Sequence, residues 1–568
     1  MRGAGAGALV AALLWAGPAG AQVSPALESW VLLENARVWT NDPARPEAAA
    51  ILIRGSRVVA LDPAPGDVPA GTRRVDLGGR RVVPGFNDAH THFMEGSFGL
   101  LAPNLLETAT PEAFAERLGA YARSLPPGRW IDLSGAWDHE RWPGHPLPSR
   151  QLVDPVTPAN PVWLSRTDGH IALANSLALE LAGVTADTPD PPGGQIDRDP
   201  ATGEPTGILR DAGQLIGHAI PPRSEAEYRE AIDAGLAHAA RLGVTTLQDM
   251  CYGHPPLVTR LFQEYARAGR LTARFYCRTA LSQWEHPAAV GITAGWGDEW
   301  LRFGSLKAFA DGALGSTTAY MFDDYEGEPG NRGLLDAAMQ PADTFLARAA
   351  GADAARLQLS IHAIGDAAIS LVLDQFEAIR AANPAWDRRW RIEHAQHMAR
   401  EDFARMAELG AVASVQPFHA IDDGRWAERK IGPERAKTTY AFRSFLDAGV
   451  PLAFGTDWFV APLDPWRTVY AAVTRRTLDG ARPDGWVPEE KISLEEALAA
   501  YTGGSAWAEF AEAWKGRIAP GFVADLVVAE PDPFAVAPEA LADVETVMTV
   551  VGGRIVWAGG ALEGAATD

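Results

Sequence analysis

Cysteine is nearly missing from this chain. Cys251 and Cys277 are the only two in 568 residues, so no disulfide framework holds the fold together and a buried core has to do so. Each sits within or at the end of an apolar run, the setting of a plain buried thiol, and a single bridge between the two stays open. Basic residues are also in deficit: 50 Lys and Arg stand against 72 Asp and Glu, a formal net charge of -22. With no basic stripe to overturn that balance, nucleic acid is not the expected partner, because its phosphates attract cationic surfaces. A membrane span would need about 20 consecutive apolar residues, and the apolar run Ala8–Ala16 near the N-terminus stops at Gly17 and Pro18.

That run has another reading. In "MRGAGAGALVAALLWAGPAGAQ" an early Arg2 precedes the apolar stretch, and a small-residue Ala19-Gly20-Ala21 site follows it. The pattern predicts a secretory signal peptide over residues 1–21, removed to leave a periplasmic or secreted chain that is free of the membrane.

What is present is long enough for a large barrel with an appended lobe. "SWVLLENARVWT" and "AAAILIRGSRVVALDP" near the start, and "ADLVVAEPDPF" and "VETVMTVVGGRIVWAGG" near the end, alternate apolar and polar residues around turns. These are strand signals. They predict one β-sandwich domain built from both termini, residues 22–81 and a C-terminal part within 501–568 that begins with a helix. The middle, 82–500, alternates short apolar runs with amphipathic stretches such as "EAEYREAIDAGLAHAARLG". Eight runs can be chosen: Val82–Asn87, Val244–Asp249, Ala273–Arg278, Phe303–Phe309, Leu357–His362, Trp390–His394, Ala411–Gln416 and Pro451–Gly455. An α/β fold of the (β/α)8 (TIM) barrel type follows. The interval of about 100–243 is too long for a connection; it carries the strand-like "RWIDLSGAW" and "PVWLSRTDGH" and reads as a subdomain inserted over the barrel mouth.

Chemistry enters with "VVPGFNDAHTHF". Residues i and i+2 of an extended segment point to one side, so His90 and His92 can approach one metal ion together, although an isolated H-x-H pair equally suits two core histidines. Other runs end comparably: Lys307 lies in "SLKAFADGALGS", His362 in "LQLSIHAIGDAA", His394 in "WRIEHAQHM" and Asp457 in "LAFGTDWF". The C-terminal face of such a barrel is where active sites form. Four histidines and an aspartate there supply N and O ligands suited to zinc or a similar divalent ion.

Together with "GRIAPGFVADLVV", these motifs resemble the amidohydrolase superfamily over nearly the whole chain after the leader, in the amidohydrolase 3 branch that includes N-substituted formamide deformylase-like enzymes. The resemblance implies two Zn2+ ions, one on His90, His92 and Asp457 and the other on His362 and His394, bridged by a CO2-derived carboxylate on Lys307. Lys307 as a plain ion-paired strand-end residue is the alternative, and with it a mononuclear deaminase or deacylase. Ions of this kind acidify water and polarise a carbonyl, and Asp457 would move the proton from that water to the leaving nitrogen. The expected reaction is therefore hydrolysis of an amide or other non-peptide C–N bond in a small molecule. A non-catalytic periplasmic binding protein is the rival from another class, and a homodimer is the candidate assembly.

Secondary candidates surround this set. His170 in "RTDGHIALAN" would polarise a substrate carbonyl, while Asp168-Gly169 equally makes a turn. Asp311 would support Lys307 or cap a turn, His397 belongs with the loop after His394, and Trp137 and Trp142 would line a pocket or fill a core.

Overall fold

A computed structural model of the chain describes residues 29–566, apart from 140–141, 167–170, 192–193 and 211. The expected leader, residues 1–21, and the candidates Asp168 and His170 lie outside them. Among the described residues no helix is long and apolar enough to cross a membrane.

Eight parallel strands form the central barrel: β1 (Phe86–Thr91), β2 (Val244–Asp249), β3 (Arg274–Ala280), β4 (Leu301–Phe309), β5 (Gln358–Ala363), β6 (Arg391–His394), β7 (Val412–Val415) and β8 (Leu452–Phe454). Neighbours in sequence are neighbours in the sheet. The seam between β8 and β1 is tied just beyond the strand ends, where His92 N donates to Trp458 O at 2.6 Å and Asp457 N donates to His90 O at 2.8 Å. Helices such as Glu225–Leu242 and Asp366–Ala382 return the chain to the start of each next strand. The first of these shows how sequence sets the boundaries. Ser224 and Glu227 form a capping box at its start, and Gly243, in left-handed backbone with φ of 83°, ends it directly before β2.

The expected first run, Val82–Asn87, is two strands. Pro84 and Gly85 break it, and Arg81–Pro84 joins a different sheet, pairing antiparallel with the strand Leu526–Glu530 through Val82↔Val528 and Val83↔Val527. The β-domain therefore reaches past residue 81 to Pro84. It consists of a four-stranded sheet from the N-terminal segment and a six-stranded sheet drawn from both ends of the chain. The two sheets share an aliphatic core that includes Val31, Ile51, Val82, Leu526 and Val550.

Between β1 and β2 the interval 92–243 carries its own five-stranded sheet, with Ile131–Trp137 and Val162–Arg166 as parallel neighbours. Trp137 and Trp142 belong to its core, their indole N–H groups donating to Leu164 O and Thr108 O at 3.0 Å each. Both are structural. Cys251 and Cys277 are free and buried, and Cys251 Sγ donates to Asp249 Oδ2 at 3.1 Å.

Candidate metal centre

His90, His92, Lys307, His362, His394 and Asp457 all stand at or beside the C-terminal ends of barrel strands, on β1, β4, β5, β6 and just past β8. The tightest convergence is around Asp457. His90 Nε2 and His92 Nε2 lie 3.4 and 3.2 Å from its Oδ1, and His394 Nδ1 lies 3.9 Å from its Oδ2. Left-handed backbone at Asp457, φ of 59°, turns that carboxylate back toward the histidines. Lys307 Nζ sits 4.8 Å over the Phe309 ring and is buried.

Two groups of metal-ligand character can be drawn from His, Asp, Glu and Cys among the described residues. One is His90, His92 and Asp457; the other is His394, His419 and Asp457. His419 was not singled out from the sequence. It lies on the short helix Pro417–Asp423 after β7, beyond any strand end, so no spacing rule selects it. His362 falls in neither group, though its ring centroid is 4.5 Å from that of His394.

Partners outside the cluster decide which ring nitrogen carries the proton. His90 Nδ1 donates to Glu393 Oε2 at 2.7 Å, His394 Nδ1 to Gln416 Oε1 at 2.8 Å, and His362 Nε2 to the Gly312 carbonyl at 2.9 Å. Each bond fixes a tautomer and leaves the opposite nitrogen with a bare lone pair: Nε2 of His90 and His394, Nδ1 of His362. Glu393 is itself held by Arg391, Ser360 and Ser414. Glu393 and His394 are consecutive, and a regular strand would send them to opposite faces. The backbone of His394, φ of 76°, breaks the alternation so that both serve the site.

Electrostatics suits the same purpose. Burial lowers His90 to about 3 and His362 to about 4, and it takes His394 well below the ordinary imidazole value, so all three rings are neutral, the form in which an imidazole can bind a metal. For His92 burial also acts downward, but the Asp457 carboxylate outweighs it and the net shift is up. Burial would raise Asp457, but its interactions with the neighbouring imidazoles prevail and set it well below the usual carboxylate range; His92, itself shifted up, is the one of them that carries charge against it. Burial brings Lys307 down to about 8.

The residues fit a divalent ion. His90 Nε2, His419 Nε2 and Asp457 Oδ1 are buried without a hydrogen-bond partner, which is costly unless something else satisfies them. Neutral imidazoles and an ionised carboxylate are the donors a zinc-like ion takes.

Two supports bind the frame. Asp88 accepts from His90 N and Thr456 N through Oδ1 and from Thr456 Oγ1 and Tyr501 OH through Oδ2. Gly455 passes so close that an added Cβ would lie 2.5 Å from His90 N, which explains the glycine of "FGTDW". Asp311 caps turns, accepting from the N–H groups of Tyr320, Ile364 and Gly365, and its Oδ1 is 3.7 Å from His362 Nε2. His397 stays with its loop, Nδ1 paired to Thr439 Oγ1 at 2.9 Å.

The sequence profile described as the amidohydrolase family matches residues 73–557. The chain is 38% identical to Protein LONG AFTER FAR-RED 3 of Arabidopsis thaliana over 88% of its length and 86% of the relative's. It is 29% identical to N-substituted formamide deformylase of Arthrobacter pascens, covering 92% of this chain and 97% of that one. Among solved structures, an uncharacterized metal-dependent hydrolase from Pyrococcus furiosus superposes with a TM-score of 0.72 at 27% identity, over 89% of this chain and 99% of the other.

Proposed function

The chain belongs to the amidohydrolase family, and from that premise we propose that it hydrolyses N-substituted formamides or closely related small acyl amides at a two-ion centre. The chain is a metal-dependent hydrolase acting on C–N bonds other than peptide bonds. The finer reading is supported chiefly by Asp457, an ionised carboxylate shared by both groups of convergent ligands.

His90, His92 and Asp457 would hold one zinc ion, and His362 and His394 the other, with His419 beside the second. When bound, such ions supply Lewis acidity for a carbonyl oxygen and acidify water toward neutrality. Asp457, ionised at neutral pH, takes the proton from the attacking water and returns it to the departing nitrogen. Glu393, Gln416 and the Gly312 carbonyl keep three imidazoles in the tautomers their task requires.

Lys307 is the proposed bridge. An amine lowered to about 8 is still mainly protonated near physiological pH but has a far larger neutral fraction than an ordinary lysine, and the lone pair of that neutral form can attack CO2, forming an N–C bond and releasing one proton. The resulting carbamate would share one negative charge between two oxygens, and Lys307 would thereby become an anionic ligand able to help hold a pair of ions. The formamide preference leans on the name of the Arthrobacter pascens relative.

The test is direct. Zinc-loaded protein should carry two ions per chain by elemental analysis and release formate from N-alkylformamides. A reproducible ratio near one at full activity would favour the mononuclear deaminase or deacylase instead. The N-terminal stretch also supports export, and sequencing the mature protein should then give a first residue near Gln22; a retained Arg2 segment would refute export.

A further inference from the structure

Side-chain rings at the metal centre form a closed circuit. Between ring centroids, His90 lies 5.7 Å from His92 and 4.8 Å from His394, and His394 lies 4.5 Å from His362. Two further rings complete it: Phe309 is 5.1 Å from His362, and Tyr252 is 5.6 Å from Phe309 and 6.4 Å from His92. Both Tyr252 contacts are edge to face, at 68° and 74°. Phe309 contributes only carbon, with Lys307 Nζ over its ring. Outside the imidazoles, the Tyr252 hydroxyl is thus the polar atom carried by this circuit.

The links that place His92 also place Tyr252. It stands three residues past the end of β2. There Asp249 accepts from Phe93 N, next to His92, at 2.6 Å, and Met250 N donates to Thr91 O at 2.8 Å. Gly253, with φ of 83°, turns the chain directly afterwards. The half-buried Tyr252 has no hydrogen-bond partner for its hydroxyl among the described residues, whereas Tyr276, Tyr440 and Tyr501 spend theirs inside the fold on Gln358, Asp423 and Asp88. Burial, then the carboxylates of Glu95 and Asp457, raise the Tyr252 phenol to about 12. It therefore keeps its proton near neutral pH and can donate.

An amide offers such a donor one good acceptor, its carbonyl oxygen, because resonance withdraws the nitrogen lone pair. We propose that Tyr252 donates a hydrogen bond to the carbonyl oxygen of the bound amide and is a further catalytic residue of this centre. The inference rests on the hydrolase reading above and deepens it by assigning a substrate contact. As water adds to the carbonyl carbon, the C–O π pair moves onto that oxygen, and the growing charge strengthens the bond from Tyr252. The pair returns when the C–N bond breaks and the nitrogen leaves with the proton that Asp457 delivers. A contact that tightens during the reaction acts on kcat more than on KM.

Tyr252→Phe removes the oxygen and keeps the ring, so the circuit and the fold stay. With an N-alkylformamide as substrate, kcat should fall about 100-fold while KM changes by less than about threefold. Elemental analysis should find as much zinc per chain as in wild type. Formate presents a similar acceptor oxygen and reads the contact without turnover: its calorimetric affinity for zinc-loaded protein should weaken about tenfold or more in Tyr252→Phe. If the wild type hydrolyses no formamide, the proposed reaction fails, and formate binding still decides the contact. Equal kcat or equal formate affinity in the two proteins overturns the proposal. So does loss of bound zinc from Tyr252→Phe, which would assign the hydroxyl to the metal ligands rather than to the substrate.

Discussion

Asp88 and Thr456 join the first and last strands of the barrel by a two-point contact, Thr456 N to Oδ1 at 3.0 Å and Thr456 Oγ1 to Oδ2 at 2.8 Å. The same Oδ1 takes the N–H of His90 at 3.1 Å. One carboxyl group therefore sets His90 and, through Thr456, its neighbour Asp457 in a common frame. Asp88→Asn keeps the shape but puts an amide donor where a carboxylate oxygen accepted. Loss of about 1–3 kcal/mol of stability is expected, with weaker metal binding. Thermal unfolding of apo and zinc-loaded forms measures both, and an unchanged metal affinity would dismiss the shared frame.

Glu393 orients His90 without belonging to the ligand set. Glu393→Gln should lower metal affinity or activity about 10–100-fold, because the amide can offer a donor to Nδ1 and permit the wrong tautomer. Competition with a zinc chelator gives the affinity. Wild-type affinity in this variant would show that the tautomer is set elsewhere.

Lys307→Ala removes the proposed bridge while leaving the barrel in place. We expect circular dichroism to be retained, bound metal to fall, and kcat to drop on the order of 100-fold or more. Acetate should restore part of the rate by lending two oxygens to the vacated space. Two bound ions and normal turnover would rule out the bridging role.

His419 carries a buried Nε2 with no hydrogen-bond partner, close to His394 and Asp457. If that nitrogen faces bound metal or substrate, His419→Ala should reduce kcat/KM about 10–100-fold with the fold intact. Full activity would mark His419 as a bystander.

Asp423 supplies a pH signature away from the ligands. Burial pushes it up to about 6, while its carboxyl accepts from Tyr440 OH at 2.7 Å. The unfolded value is about 3.9. Between those two pH values the folded chain binds this proton more tightly than the unfolded one, so stability is fully present below about pH 4 and declines as pH rises to about 6. Asp423→Asn lacks that decline. Unfolding by urea at pH 4, 5, 6 and 7 should show wild type losing on the order of 2–3 kcal/mol relative to the variant; parallel curves would contradict it.

The barrel was legible because its strands end in unlike chemistry: a histidine, a lysine or an aspartate closing an apolar run is visible without coordinates, as at His362 in "LQLSIHAIGDAA". The supports were not. Glu393 and its neighbour His394 can both face the site because His394 adopts left-handed backbone, a conformation no side chain there advertises. Asp88 looks like an ordinary strand residue until Thr456 and Tyr501 arrive from the far end of the chain. The run Val82–Asn87 misled for a related reason, since Pro84 and Gly85 hand the chain from one sheet to another without interrupting its apolar character.

The pairing of Val82 and Val83 with Val528 and Val527 also has a meaning in time. Arg81–Pro84 leaves the ribosome early, and Leu526–Glu530 is among the last strands made. For nearly the whole of synthesis the first segment presents an apolar edge with no partner, which is a site for mispairing with other nascent chains. A product released before Leu526 would carry every one of the six strand-end ligand candidates and still lack the strand that closes its own beginning.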